Sequence, residues 1–283
     1  MTQRWLHEPL APGLRRSWQL DEILWEGDTP FQHIVIARTA QGVALFCDSE
    51  RQSTEQSQLT YHEALLVPAL LLAERVERIL VVGSSEGVVS QLAVAAGADL
   101  VDHVDIDRDC VRRCADLLPY GYDPAELAAA ERGVGAVRMH YADGWQFLAG
   151  ARDYDIIVVD LPDERGDGAQ HDRLYGTRFL QQCALALRPG GVVTSQAGCP
   201  TRWRNAGLLR SWQRFHSVFE AVVYHGSDEH EWAFLSGRAD AVADPASRMA
   251  ARLATLPYRP VTLDAAAVAA HTVAPYTLRS AMT

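Results

Sequence analysis

The spacing of apolar residues changes character twice along the chain. Between Trp18 and Asp48 apolar and polar positions partly alternate in three runs, 18–26, 31–39 and 43–48, separated by Gly27-Asp28 and Gln41-Gly42. Period-two alternation broken by turn residues predicts a small antiparallel β unit within residues 1–60. From Tyr61 the period lengthens. The stretch YHEALLVPALLLAERVE predicts a helix, with Pro68 inside it as a kink or offset. Beyond Arg78 the pattern changes again, to short continuous apolar runs separated by helical segments. Runs at 78–82, 100–106, 136–141, 154–160 and 191–196 predict buried strands, and YDIIVVD at 154–160 is the strongest of them. Helices are predicted at 88–96, 109–118, 145–149, 175–187 and 201–215, with a shorter one inside 120–135. Two more strands are predicted at 221–225 and 232–236, and helix in the alanine-rich tail. Strands alternating with helices imply a parallel sheet covered on both faces, here over residues 61–283.

The stretch 78–107 forms the centre of this pattern. It reads strand, small-residue turn (Gly83-Ser84-Ser85-Glu86-Gly87), helix, then a second strand ending in Asp105 and Asp107. That is a βαβ crossover of the usual length, about 30 residues. Small residues such as Gly83 and Ser85 let backbone N–H groups approach a ligand. A carboxylate ending the second strand can accept hydrogen bonds from ribose hydroxyls. The turn lacks the second glycine of a pyrophosphate-binding GxGxxG, and Glu86 at the helix start repels phosphate and attracts a cation. A nucleoside bearing a positive group fits, which points to S-adenosylmethionine (AdoMet) or its decarboxylated form.

Ligands of open α/β sheets bind beyond the carboxyl ends of the strands. Four acids occupy that edge: Glu86, Asp105, Asp143 and Asp160. Asp143 can accept the exocyclic amine of adenine, and can equally cap a helix. Asp160 and Asp163 flank Leu161-Pro162, a pairing that can hold an amine and take its proton. A charge ending a fully apolar strand is costly unless paired, which singles out Asp160. His62 reads as a satisfied surface histidine. The DEHE run at 228–231 lacks the further His or Cys a metal site needs, so no metal is expected.

Charge and composition sharpen the picture. The chain has 283 residues and a net charge of −10, which disfavours nucleic acid and anionic membranes as partners and favours a cationic small molecule. All 26 basic residues are arginine. The absence of lysine removes Schiff-base chemistry and the Walker A phosphate site. Five scattered cysteines read as reduced thiols of a cytoplasmic protein. No run is long enough to span a membrane, and the first residues do not form a signal peptide.

Taken together, the motifs resemble the spermidine synthase (polyamine aminopropyltransferase) family over nearly the whole chain. The matching segments are Thr29-Pro30-Phe31-Gln32 with Ile34, then Gln52 nine residues before Tyr61-His62-Glu63, then GSSEG at 83–87. VDID at 104–107 brings Asp105 and Ile106; ADG at 142–144 brings Asp143 and Gly144. VVDLPD at 158–163, Leu174-Tyr175 with Phe179, LRPGGVVTSQ and the tail from Tyr258 follow in order. The resemblance implies an AdoMet-dependent-transferase (Rossmann-like) domain after the small β domain, and a homodimer or homotetramer. It implies that Asp105 binds the ribose, Asp143 the adenine, and that Gln32, Gln52 and Glu86 line the donor pocket. Asp160 would bind and deprotonate an attacking amine, with Asp163 and Tyr61 holding the acceptor. Departures fall unevenly. Two family glycines are Ser84 and Ser85, the family aspartate is Glu86, the acidic pair before Tyr61 is Ser57-Gln58, and the acceptor segment appears as 225–228. The donor half is the better kept, so a simple diamine acceptor is not expected. Rival readings with the same fold use intact AdoMet for N-methylation, 3-amino-3-carboxypropyl transfer or an intramolecular displacement. A further rival is a catalytically silent nucleoside-binding relative.

Overall fold

A computed structural model of the chain describes residues 4–166, 168–227 and 229–282. Strands β1 (Arg4–Ala11) and β2 (Leu14–Leu20) form an antiparallel hairpin. A four-stranded antiparallel sheet follows: β3 (Glu22–Asp28), β4 (His33–Thr39), β5 (Gly42–Cys47) and β6 (Glu50–Thr54). The sequence pattern missed β1 and β6. β6 is polar throughout and β1 shows no regular alternation, so the strand state of both comes from pairing with a neighbour. The run 18–26 is also divided, because the chain leaves the hairpin at Asp21 and enters the next sheet.

The remainder builds one seven-stranded sheet. Its elements are α1 (Gln58–Leu72), β7 (Arg78–Gly83), α2 (Val88–Ala95), β8 (Leu100–Asp105), α3 (Arg108–Leu117), α4 (Pro124–Glu131), β9 (Val137–Tyr141), α5 (Gly144–Gly150) and β10 (Tyr154–Asp160). After them come α6 (Thr177–Ala186), β11 (Leu187–Gly198), α7 (Ala206–Val218), β12 (Ala221–Gly226), β13 (Ala233–Arg238), α8 (Pro245–Leu253), α9 (Ala265–His271) and α10 (Tyr276–Arg279). Strand order is β12-β13-β11-β10-β7-β8-β9. The five strands from β11 to β9 are parallel, whereas β13 runs antiparallel to both β11 and β12. This edge departs from the all-parallel expectation. The connection from β12 to β13 is too short for a crossover helix, so it can only be a hairpin.

Alternation along each strand serves two cores. Ile79, Val81, Ile156 and Val158 meet α1, α2 and the C-terminal helices on one face. Leu80, Val82, Ile157 and Val159 meet α5, α6 and α7 on the other. A third cluster joins Ile34, Ile36, Val43 and Leu45 of the N-terminal sheet to Cys110, Cys114 and Leu118 around α3. That contact sets the small sheet over the carboxyl ends of β7 and β8. All five cysteines are free and buried. Among the described residues, no helix is long and apolar enough to cross a membrane.

Candidate active site

The chain runs outward from β7 to β8 and β9, then returns to β10 on the other side of β7. This reversal leaves a crevice beyond β7 and β10, the place where open α/β sheets bind ligands. The crevice holds a cavity of about 340 Å³, covered in part by the N-terminal sheet and by residues of the segments 161–165 and 169–174. Its floor depends on one close backbone approach. Gly83 has φ +84, and a Cβ there would lie 2.1 Å from the Asp160 carbonyl oxygen. Only glycine lets β7 and β10 end so close together. Ser84 follows in the same left-handed region at φ 62, and its N–H donates to that carbonyl at 2.9 Å.

Most of the residues singled out in the sequence line this cavity. Gly83, Ser85 and Glu86 come from the first turn, Asp105 and Ile106 from the end of β8, and Asp143 and Gly144 from the start of α5. Gln32, Gln52, Tyr61 and Asp160 complete the set. Asp163 is not among them. It sits in a small neighbouring cavity of about 20 Å³. There it accepts from Arg204 Nη2 and Trp232 Nε1, each at 3.0 Å, and from Gln196 Nε2. The two carboxylates expected to face one pocket are therefore parted. The arginine that claims Asp163 is 41 residues away, beyond the reach of local pattern.

Electrostatics in the cavity are lopsided. Burial pushes the Asp105 carboxyl up to about 7, opposed by donors from the Asp107 N–H at 2.8 Å and Ser85 Oγ at 2.7 Å. Burial also raises Asp160, opposed by the neighbouring His62 and by the Tyr61 hydroxyl, which donates to Oδ1 at 2.6 Å. His62 is buried, not on the surface as its sequence context suggested. Its Nε2 lies 3.9 Å from Asp160 Oδ2. The lone pairs of Asp107, a residue the site prediction omitted, take Thr29 Oγ1 at 2.7 Å, Gln32 Nε2 at 2.9 Å and the Cys110 N–H at 3.1 Å. Glu86 is buried, and among the described residues no side chain pairs with it. Two arginines reach the cavity, and both are already engaged. Arg165 lies 3.3 Å from Asp48, and Arg173 donates to Asp143 Oδ2. Asp143 Oδ1 meanwhile caps α5, accepting from the N–H groups of Trp145 at 2.9 Å and Gln146 at 3.2 Å. Glu86, Asp105, Asp107 and Asp160 thus face the cavity without an arginine partner. Buried carboxylates left so are costly unless a cation or hydroxyl donors join them.

Among the described residues no three His, Cys, Asp or Glu side chains gather as a metal-binding group. Of the DEHE run, Asp228 lies outside the described residues. Glu231 is paired with Arg16 and Arg51, and His230 is buried.

A seven-stranded sheet of this order, with Glu86 in the turn after β7 and Asp105 and Asp160 ending β8 and β10, has the Rossmann-like architecture of an AdoMet-type transferase. The domain model for spermine/spermidine synthases matches residues 58–224, more than half of the chain. The chain belongs to the spermine/spermidine synthase family. It is 27% identical over 242 residues to spermidine synthase 1 of Hyoscyamus niger, covering 81% of this chain and 69% of that one. It is 28% identical over 232 residues to polyamine aminopropyltransferase 1 of Pseudomonas aeruginosa, covering 76% and 77%. The fold matches a crystal structure of spermidine synthase with the transition-state analogue AdoDATO at a TM-score of 0.85 and 16% identity, over 99% of this chain and 96% of that one. It matches spermidine synthase from Thermotoga maritima at a TM-score of 0.84 and 16% identity, over 100% and 95%.

Proposed function

We propose that the protein transfers an aminopropyl group from decarboxylated AdoMet to an amine. The observation that carries this reading is the run of buried carboxylates, Glu86, Asp105 and Asp160, around a cavity whose arginines are already engaged. A sulfonium nucleoside with an ammonium-tipped arm supplies positive charge and ribose donors where that wall lacks them. Asp105 would accept from the ribose, Asp143 from the adenine amine, and Glu86 would face the ammonium of the arm. Asp143 reaches the adenine only if Arg173 yields its place on Oδ2, so donor entry and movement of Arg173 are linked. Intact AdoMet fits less well, because its carboxylate would meet Glu86 and Asp160 with no arginine free to receive it.

The acceptor amine attacks the propyl carbon beside sulfur. A C–N bond forms, the C–S bond breaks, and the electron pair returns to sulfur, releasing neutral methylthioadenosine. The proton lost by the amine goes to Asp160. Its raised pKa suits that task, since a carboxylate lifted toward neutrality is the stronger base. Tyr61 fixes Oδ1 by its 2.6 Å hydrogen bond. Much of the remaining catalysis is positioning of nitrogen, carbon and sulfur in line.

The test is which adenosine product accumulates. Decarboxylated AdoMet with an amine panel should give methylthioadenosine, and Asp160→Asn should lower kcat by about 10² to 10⁴. S-adenosylhomocysteine from intact AdoMet would instead show methyl transfer. We further propose a homo-oligomer, supported by exposed Trp5 and Leu14 on the first hairpin. Light scattering that returns the monomer mass would refute it.

A further inference from the structure

A second cavity, of about 250 Å³, adjoins the first and shares Gln52 and Tyr61 with it. Its wall sets two arginines against two glutamates. Arg16 and Arg51 line it, together with the uncharged Ser57 and Gln58. The acids there are already claimed. Glu231 accepts from both Arg16 and Arg51. Glu8, behind them, takes Trp18 Nε1 at 2.7 Å and lies 3.6 Å from Arg16. Asp163, next door, is held by Arg204. That leaves Glu229, which is exposed. Arg51 is only 7% exposed and is clamped between two indoles, 4.7 Å from the Trp232 centroid and 5.7 Å from that of Trp18. Its Nε is buried with no partner among the described residues, as are Gln58 Oε1 and His230 Nε2. A buried guanidinium N–H without an acceptor is costly, and an ionised oxygen is its strongest partner.

Resting on the aminopropyl-transfer reading, we propose that the acceptor is an amine carrying a carboxylate at its far end, with Arg51 as the residue that recognises it. The two cavities then orient a zwitterion. Its amine is drawn to the acids at Asp160 and its carboxylate to the Arg51 Nε, which Glu231 leaves without a partner. A diamine of the same length would place its second ammonium beside the buried Arg51 guanidinium, where only the exposed Glu229 is left to receive it.

The experiment compares matched pairs, α,ω-diamines and ω-amino acids of three to six carbons. With decarboxylated AdoMet, kcat/KM from methylthioadenosine release should favour the ω-amino acids at least tenfold. Arg51→Gln should collapse that ratio, while Arg51→Lys should recover part of it. Arg16→Gln, at a more exposed site, repeats the test should Arg51→Gln fold poorly. Diamines preferred, or a ratio unmoved in both variants, would overturn the proposal while leaving aminopropyl transfer intact. No methylthioadenosine from any acceptor would instead refute the transfer reading. In that case calorimetry on the methylthioadenosine-saturated protein decides. ω-Amino acid binding that is lost in Arg51→Gln upholds the carboxylate site, and tighter diamine binding or no binding overturns it.

Discussion

At the scale of single residues, the cavity is governed by what each carboxylate already holds. Asp105 accepts from Ser85, a side chain that stands where the family has glycine, and from the Asp107 N–H. Burial leaves it with a carboxyl near 7. The sign of the pH effect follows. The folded-state value is raised, so protonation favours the ligand-free fold, and that contribution is lost as pH rises through 7. Ribose hydroxyls favour the ionised form. Methylthioadenosine should therefore bind about tenfold more tightly at pH 8 than at pH 6, with protons released on binding below pH 7. Titration calorimetry at three pH values checks this, and Asp105→Asn should bind more weakly with little pH dependence. Asp163 teaches the opposite lesson. Its position in the VVDLPD motif gives it a place on the chain, but Arg204 and Trp232 decide what its charge faces.

Among the elements, α1 shows how one helix can serve site and scaffold together. Tyr61 and His62 reach Asp160, while Glu63, on the same turn, is fully buried and points elsewhere. Its carboxylate accepts from the N–H groups of Val261 and Thr262, each at 2.7 Å, from Thr262 Oγ1 at 2.5 Å and from the Tyr258 hydroxyl. This pins the segment after α8 onto the helix that carries the site. Glu63→Gln would turn an amide N–H₂ toward those donors, at a cost of about 3 kcal/mol. Thermal unfolding should move down by about 6–10 °C. Activity per folded molecule should change little, since Tyr61 keeps its own partner. A loss of turnover without loss of stability would show that Glu63 acts in the site instead.

For the whole molecule, the cavity belongs to neither sheet alone. Gln32 and Gln52 come from the antiparallel sheet, and Asp105, Asp143 and Asp160 from the seven-stranded one. Two hydrogen bonds to Asp107, from Thr29 and Gln32, tie the halves at the mouth of the site. A nucleoside bound between them stabilises both by mass action. At about one hundred times its Kd, methylthioadenosine should add about 2.7 kcal/mol and raise the melting temperature of a single transition by several degrees. A shift confined to one of two separate transitions would mean that the halves fold and bind independently.

Much of this was legible in the chain. Continuous apolar runs such as Tyr154–Asp160 mark buried parallel strands because both faces must be apolar. The acids that end them mark the ligand edge because a charge closing an apolar strand is costly without a partner. Gly83 could be read from its place in a turn, and the structure gives the reason, a neighbouring carbonyl with no room for a Cβ. Hairpin strands β1 and β6 could not be read, since backbone pairing rather than alternation makes them strands. Nor could the pairing of Asp163 with Arg204, of Asp143 with Arg173, or of Arg51 with two tryptophans. Local pattern records which face of an element is buried. Which charge meets which across 30 to 180 residues of chain is decided only when the sheets close on one another, and in this protein that closure leaves one cavity rich in carboxylates without arginine partners and gives its neighbour a buried arginine.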